Sequence, residues 1–443
     1  MRPSAPPCPP PRWRPPVRQR GRWPGLLLAA CAGFAQAQPA ATDRAATDAT
    51  ARVLQDLGWR IDTSDAATVR LAAGEPCRRG SLAEAQAAGD LHLALPRTAT
   101  DAARRQALQA ALDDPASRCA FGFRLGEATR HAVAKLQANP GFRFTAVQMG
   151  WIGFGWRGAR AQGWQPFRSF GRGYRPAAGN ARALDAFYTG HVRAECGTGR
   201  QVAQLATLRE LFGDAAFDRD FDAGELSIGT FLALHDSDSL LLGARAGTLF
   251  ADGKAEKTAR LGRQAFMGVP GFIAHVFDAG HVDDVANQAE NFVVADVDAA
   301  AADALAAHGG LRHYDALNRE LWALSRQMPR QGYRFYERVL FERDDRPIAR
   351  MPRLRKLQVA RMRALLDDPF YRGFMVYVHP QGVRPIGFHV ARLLDRNPRT
   401  PYSIDLALHN LHTTVYRRWL DSRLRAQGAV PARDPATART AGG

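Results

Sequence analysis

The chain has 443 residues, 46% of them hydrophobic, with 60 basic and 43 acidic side chains and a formal net charge of +17. That length allows two or three domains, and without a run of eighteen apolar residues no integral membrane span is expected. Only four of the 60 basic residues are lysine (Lys135, Lys254, Lys257, Lys356), and no nucleic-acid recognition motif accompanies the arginines, so nucleic acid is not an expected partner.

Residues 1–37 read as a signal peptide. Arg18, Arg20 and Arg22 precede an apolar run from Leu26 to Phe34, and the small residues of Ala35-Gln36-Ala37 offer a cleavage site. The expected product is exported, periplasmic or secreted. Leu28-Ala29-Ala30-Cys31 also resembles a lipoprotein box, which would place a lipid on Cys31 instead. Cleavage removes six arginines and no acid, lowering the net charge from +17 to +11. It also reduces five cysteines to Cys77, Cys119 and Cys196. In an oxidising compartment two of these would pair. Cys77–Cys119 is the expected disulfide, with Cys196 left over; the alternative is three reduced, buried thiols.

Residues 38–116 form an N-terminal segment with short helical patterns such as Ala102 to Leu112. From 141 to 175, aromatic residues sit among glycines and arginines, which disfavours helix and suggests short strands and loops. Trp151, Trp156 and Trp164 could line a substrate groove there, or could be ordinary core. A short helix over 182–195 leads to Cys196, and a helical apolar spacing follows at Val202, Leu205, Leu208, Leu211 and Phe212. Glu225 to Leu234, Ser239 to Leu242, Gly271 to Phe277 and Asn291 to Val297 read as mostly antiparallel strands, giving an α+β class. Beyond Gly310 the pattern is helical: Tyr314 to Met328, Leu354 to Leu366, and Leu406 to Leu424. The organisation expected is a core over 117–330, a mostly helical extension over 331–425 and a tail over 426–443.

Cys196 carries the chemistry if the chain has any. A thiol at a helix N-terminus meets unpaired amides and the positive end of the helix dipole, which favour the thiolate. The competing reading is a small buried hydrophobe. A nucleophile needs a base and an orienting group. His308, in Ala-Ala-His-Gly-Gly, and Glu290, at the mouth of a strand, are the candidates. His275 and His281 with Asp283 or Asp284, and His409 with His412 on one predicted helix, match no metal template, so no metal and no other cofactor is expected.

Several motifs, in order, resemble the small bacterial protein-glutamine γ-glutamyltransferases of the spore-coat type. They are Phe187-Tyr-Thr-Gly-His-Val-Arg-Ala-Glu-Cys196-Gly-Thr, Leu211 to Phe217 with Phe221, Pro270 to Phe277, Asn287-Gln-Ala-Glu290-Asn-Phe-Val-Val and Ala307-His308-Gly309. The resemblance covers roughly residues 120–330. Its interval from Glu290 to His308 is longer than that family's, and this chain adds a signal, an N-terminal segment and a C-terminal extension. It implies a papain-like core, close to the NlpC/P60 type, with Cys196 as nucleophile and Glu290 and His308 as its catalytic partners. The implied reaction runs through a thioester from a glutamine side chain in a protein or peptide to a primary amine. The backbone N–H of Cys196 or Gly197 would hold the oxyanion, and Glu195 would tune the local field or act as a plain first-turn acid. Water as acceptor would give an amidase, deamidase or peptidase, with cell-wall peptides among its substrates; an inert thiol would leave an envelope binding protein.

Overall fold

The computed structural model describes residues 39–62, 68–72, 93–96, 101–144, 163–169, 171–229, 239–240, 262–277, 289–308, 310–329, 331–394, 402–408 and 412–428. The signal region with Cys31, and also Cys77, Trp151, Trp156, His281 and His409, lie outside them. The chain divides into two compact units, Met1–Ala41 and Thr42–Gly443. Only Pro39, Ala40 and Ala41 of the first are described, and every element from β1 onward belongs to the second. Among the described residues no helix is long and apolar enough to cross a membrane.

Helix α1 (Pro39–Asp56) is followed by a small antiparallel sheet of β1 (Arg60–Asp62), β2 (Thr68–Ala72) and β3 (Leu93–Pro96). Next come α2 (Asp101–Asp113) and the long α3 (Pro115–Ala138). Asp114 caps α3 by accepting the Ala116 N–H at 2.7 Å, and Pro115 occupies the first turn, where a missing N–H costs nothing. The N-terminal segment is built into the core. Val53, Leu54, Leu57, Trp59, Leu108 and Leu112 are all buried in one cluster with the helix that Cys196 begins.

Short strands do occupy the described part of 141–175. They are β4 (Phe142–Phe144), β5 (Trp164–Ser169) and β6 (Gly171–Pro176). Helix α4 (Asn180–Thr189) and β7 (Val192–Ala194) then lead into α5 (Cys196–Phe212), followed by α6 (Asp214–Asp220) and β8 (Ile228–Gly229). Trp164 is no groove residue. Its ring is 2% exposed, packs edge-on against Phe187, and its Nε1 donates to the Ala183 carbonyl at 2.6 Å. An indole whose one donor is satisfied inside a core has nothing left to offer a ligand.

The central element is a five-stranded antiparallel sheet in the order β12-β11-β10-β9-β13. The strands are β9 (Pro270–Phe277), β10 (Ala289–Val297), β11 (Phe374–Val378), β12 (Gly382–Pro385) and β13 (Tyr402–Leu408). Between β10 and β11 run α7 (Ala299–Ala307), α8 (Leu311–Gln327), α9 (Tyr333–Tyr336), α10 (Arg353–Leu366) and α11 (Pro369–Gly373). Helix α12 (Ile386–Leu393) links β12 to β13, and α13 (His412–Ala426) follows.

Strand alternation sorts side chains between two cores. Val293 and its partner Tyr377 join the cluster of α3, α5 and α13. Phe292, Val294, Val376 and Ile273 join a second cluster with α7, α8, α10, α11 and α12. The class is therefore α+β. The stretch 331–425 is helical in part, but it also supplies three of the five strands of the same sheet. Within the stretch expected as one helix from Leu406 to Leu424, Leu406 to Leu408 end β13 and His412 to Leu424 lie in α13.

Candidate functional site

Cys196 is the first residue of α5, reached directly from β7. Glu195 holds the cap position with extended backbone, and its carboxylate accepts the N–H groups of Gly197 (2.6 Å) and Thr198, and the Thr198 hydroxyl (2.8 Å). The helix behind is buried on nearly every side, from Thr198 to Phe212, so the thiol stands on a fixed base. Gly199 permits this seating: a Cβ there would lie 2.3 Å from the Cβ of His379, whose ring stacks on Phe142 at 3.9 Å.

Two sequence expectations change here. The Gly197 N–H is already occupied by Glu195, so it is not a free oxyanion donor. The thiol is also not activated by its helix. Burial, then the Glu195 carboxylate, push Cys196 up to about 11, outweighing the hydrogen bond from Asn291 that pulls the other way. The capping carboxylate neutralises the dipole that was expected to favour the thiolate. Arg200 lies close enough to feel both Glu195 and Cys196, while burial holds its own pKa down.

The strand facing the thiol is β10. Asn291 Nδ2 donates to Cys196 Sγ at 3.5 Å. Its neighbour Glu290 follows the opposite phase of the pleat, opposite Ile273 of β9, and turns towards α12. There its Oε2 lies 2.6 Å from Nδ1 of the fully buried His389. Arg392, one turn further along α12, has its Nε 3.8 Å from Glu290 and 3.4 Å from Glu337. The Nε2 of His389 has no hydrogen-bond partner among the described residues. Glu290 remains near enough to the thiol to oppose its ionisation. Cys196 itself touches the second core cluster, the one beneath Glu290 and His389.

Arg392 also lines an open cleft of about 660 Å³, together with Phe144, Tyr333, Glu337, Arg384 and Phe388. Arg392 thus links the Glu290 pair to this aromatic and arginine-rich wall. Asn291 lay in the Glu290 motif without being singled out, and His389 and Arg392 had no motif to announce them. His308, by contrast, ends α7, and its ring stacks on His313 at 4.1 Å and meets Tyr314 edge-on. Cys119 is buried on α3, while Cys196 keeps its thiol outside any disulfide.

With that thiol neutral at physiological pH, alkylation of Cys196 by iodoacetamide is expected to quicken about tenfold per pH unit from pH 7 to pH 10, following the thiolate fraction. Peptide mapping of the labelled protein checks this. A plateau below pH 8 would show an activated thiolate and contradict control of the thiol by burial.

No family model, no curated protein and no solved structure matches this chain.

Proposed function

We propose that the chain is an exported, cysteine-dependent acyl transferase. It attacks the side-chain amide of glutamine and passes the acyl group to a primary amine, forming an isopeptide bond. The observation that carries the reading is the Cys196 thiol at the head of a buried helix, met by Asn291 Nδ2 at 3.5 Å on a strand that also carries Glu290. A thiol-bearing helix packed on an antiparallel sheet is also what a papain-like core requires, and that supports the fold implied by the sequence resemblance.

In this reading Sγ forms a bond to the carboxamide carbon as its proton leaves. The C–N bond then breaks, ammonia departs with a proton, and a thioester remains. The amine attacks, loses its proton to the protein, and the thiol is restored. We place the proton transfers on Glu290 with His389, the two groups already sharing a short contact. General acid–base help of this kind contributes about 10²–10⁴-fold. Asn291 Nδ2–H is a donor for the sulfur or the developing oxyanion, and with it the backbone N–H of Cys196, because Gly197 is taken. The cleft bounded by Arg392 and Tyr333 would receive a substrate segment.

Mixing the purified chain with a glutamine-rich protein and a fluorescent primary amine tests this. Amine adducts on glutamine are expected. Deamidated glutamine without adducts would make the enzyme a hydrolase, and absence of both would overturn the reading.

A further inference from the structure

We propose that His308, His313 and Asp368 form a zinc site that fastens together the ends of three helices. One donor atom from each side chain lies within 4.8 Å of the others. His308 closes α7, His313 lies in the first turn of α8, and Asp368 caps α11. Two imidazoles and a carboxylate are a familiar donor set for zinc, with solvent completing the shell.

Metal–ligand distances near 2.0–2.1 Å would put such donors roughly 3–4 Å apart. The present spacing, within 4.8 Å, therefore needs a closure of the donors together with a rotation of one ring. His308 is exposed and can turn to provide it, giving up its ring contacts with His313 and the edge of Tyr314. Asp368 is held in place: its Oδ1 accepts the Phe370 N–H at 2.9 Å, and a metal would take over the carboxylate's interaction with the Tyr314 hydroxyl. Supporting bonds of this kind orient ligating carboxylates in metal centres. The two rings now stack, 17° from parallel, with their in-plane nitrogen lone pairs aimed past each other, so the His308 ring must turn out of the stack for both to meet one ion.

The site has a structural use. Asp368 begins the segment Pro369–Gly373 that feeds β11, and α7 follows directly from β10. A bound ion would pin the long helical excursion between those two adjacent strands. It does not depend on the reading of Cys196 as a nucleophile.

The test uses the full chain carrying Cys196→Ala, which removes that thiol as a competing ligand. Metal-free protein is titrated calorimetrically with zinc sulfate, and with calcium chloride as a control. One zinc per chain is expected, with no calcium binding, because calcium prefers all-oxygen shells. Three variants follow: His308→Ala, His313→Gln and Asp368→Asn, the last keeping a capping oxygen. Each is expected to weaken zinc binding by at least about 10-fold, with circular dichroism confirming that the fold persists. Absence of stoichiometric zinc binding, equal binding of calcium, or unchanged affinity in the folded variants would each overturn the proposal.

Discussion

A chain ending at residue 330 is expected not to fold. Such a truncation removes β11, β12 and β13, three of the five strands of the central sheet. It leaves β10 as an open edge, with the unpaired N–H and C=O groups that invite aggregation. It also strips both cores. The second cluster loses Phe370, Tyr371, Phe374 and Val376; the first loses Tyr377, Tyr416 and the fully buried Trp419. Deleting one buried large side chain costs about 2–5 kcal/mol, against a whole-domain stability of about 5–15 kcal/mol. The bidentate pair of Arg418 with Glu225, at 2.7 and 3.0 Å, goes as well. Expression of 38–330 should give insoluble protein, or soluble protein with no cooperative thermal transition. A well-behaved fragment with a sharp transition would show that 331–425 is a true extension.

The second large effect concerns Glu290. Exchange for glutamine keeps the size of the side chain and an oxygen facing His389, but removes the charge that the pair and Arg392 share. Amine incorporation is expected to fall by about 10²–10⁴-fold in kcat/KM. Alkylation of Cys196 should persist, and the pH at which it quickens should move slightly down, because Glu290 is one of the charges opposing the thiolate. A merely structural glutamate would change the melting temperature and leave amine incorporation by the folded variant near the wild-type rate. Wild-type turnover in Glu290→Gln would remove this residue from the proton transfers.

Parts of this arrangement were open to inspection in the sequence, and their legibility has physical causes. Apolar periodicity marked α8 and α10, which each bury one regular face, and α5, whose apolar spacing stands out although nearly every side of it is buried. The runs Gly271 to Phe277 and Asn291 to Val297 read as strands because both faces of a central strand are apolar. β13 was lost. Leu406 and Leu408 sit two apart, and the apolar residues beyond His412 resume at helical spacing, so a single helix absorbed them all.

The site was half legible for a related reason. Cys196 and Glu290 stood out by residue type and by resemblance. Which of Glu290 and Asn291 meets the thiol depends on the phase of β10. That phase is set by Phe292 and Val294 entering one core and Val293 the other, and no local signal fixes it. His389 sits inside the apolar helix Ile386–Leu393, where a histidine reads as core. Glutamate is not among the favoured helix caps, so the loss of the Gly197 amide to Glu195 could not be foreseen.

The most direct measurement is the intact mass of the protein after a rapid acid quench with a glutamine peptide and no amine. A covalent species heavier by the peptide less ammonia is expected, mapped to Cys196 and discharged by added amine. No such species forms in Cys196→Ala. An adduct that survives that substitution, or product formation without any adduct on the thiol, would contradict a thioester at Cys196.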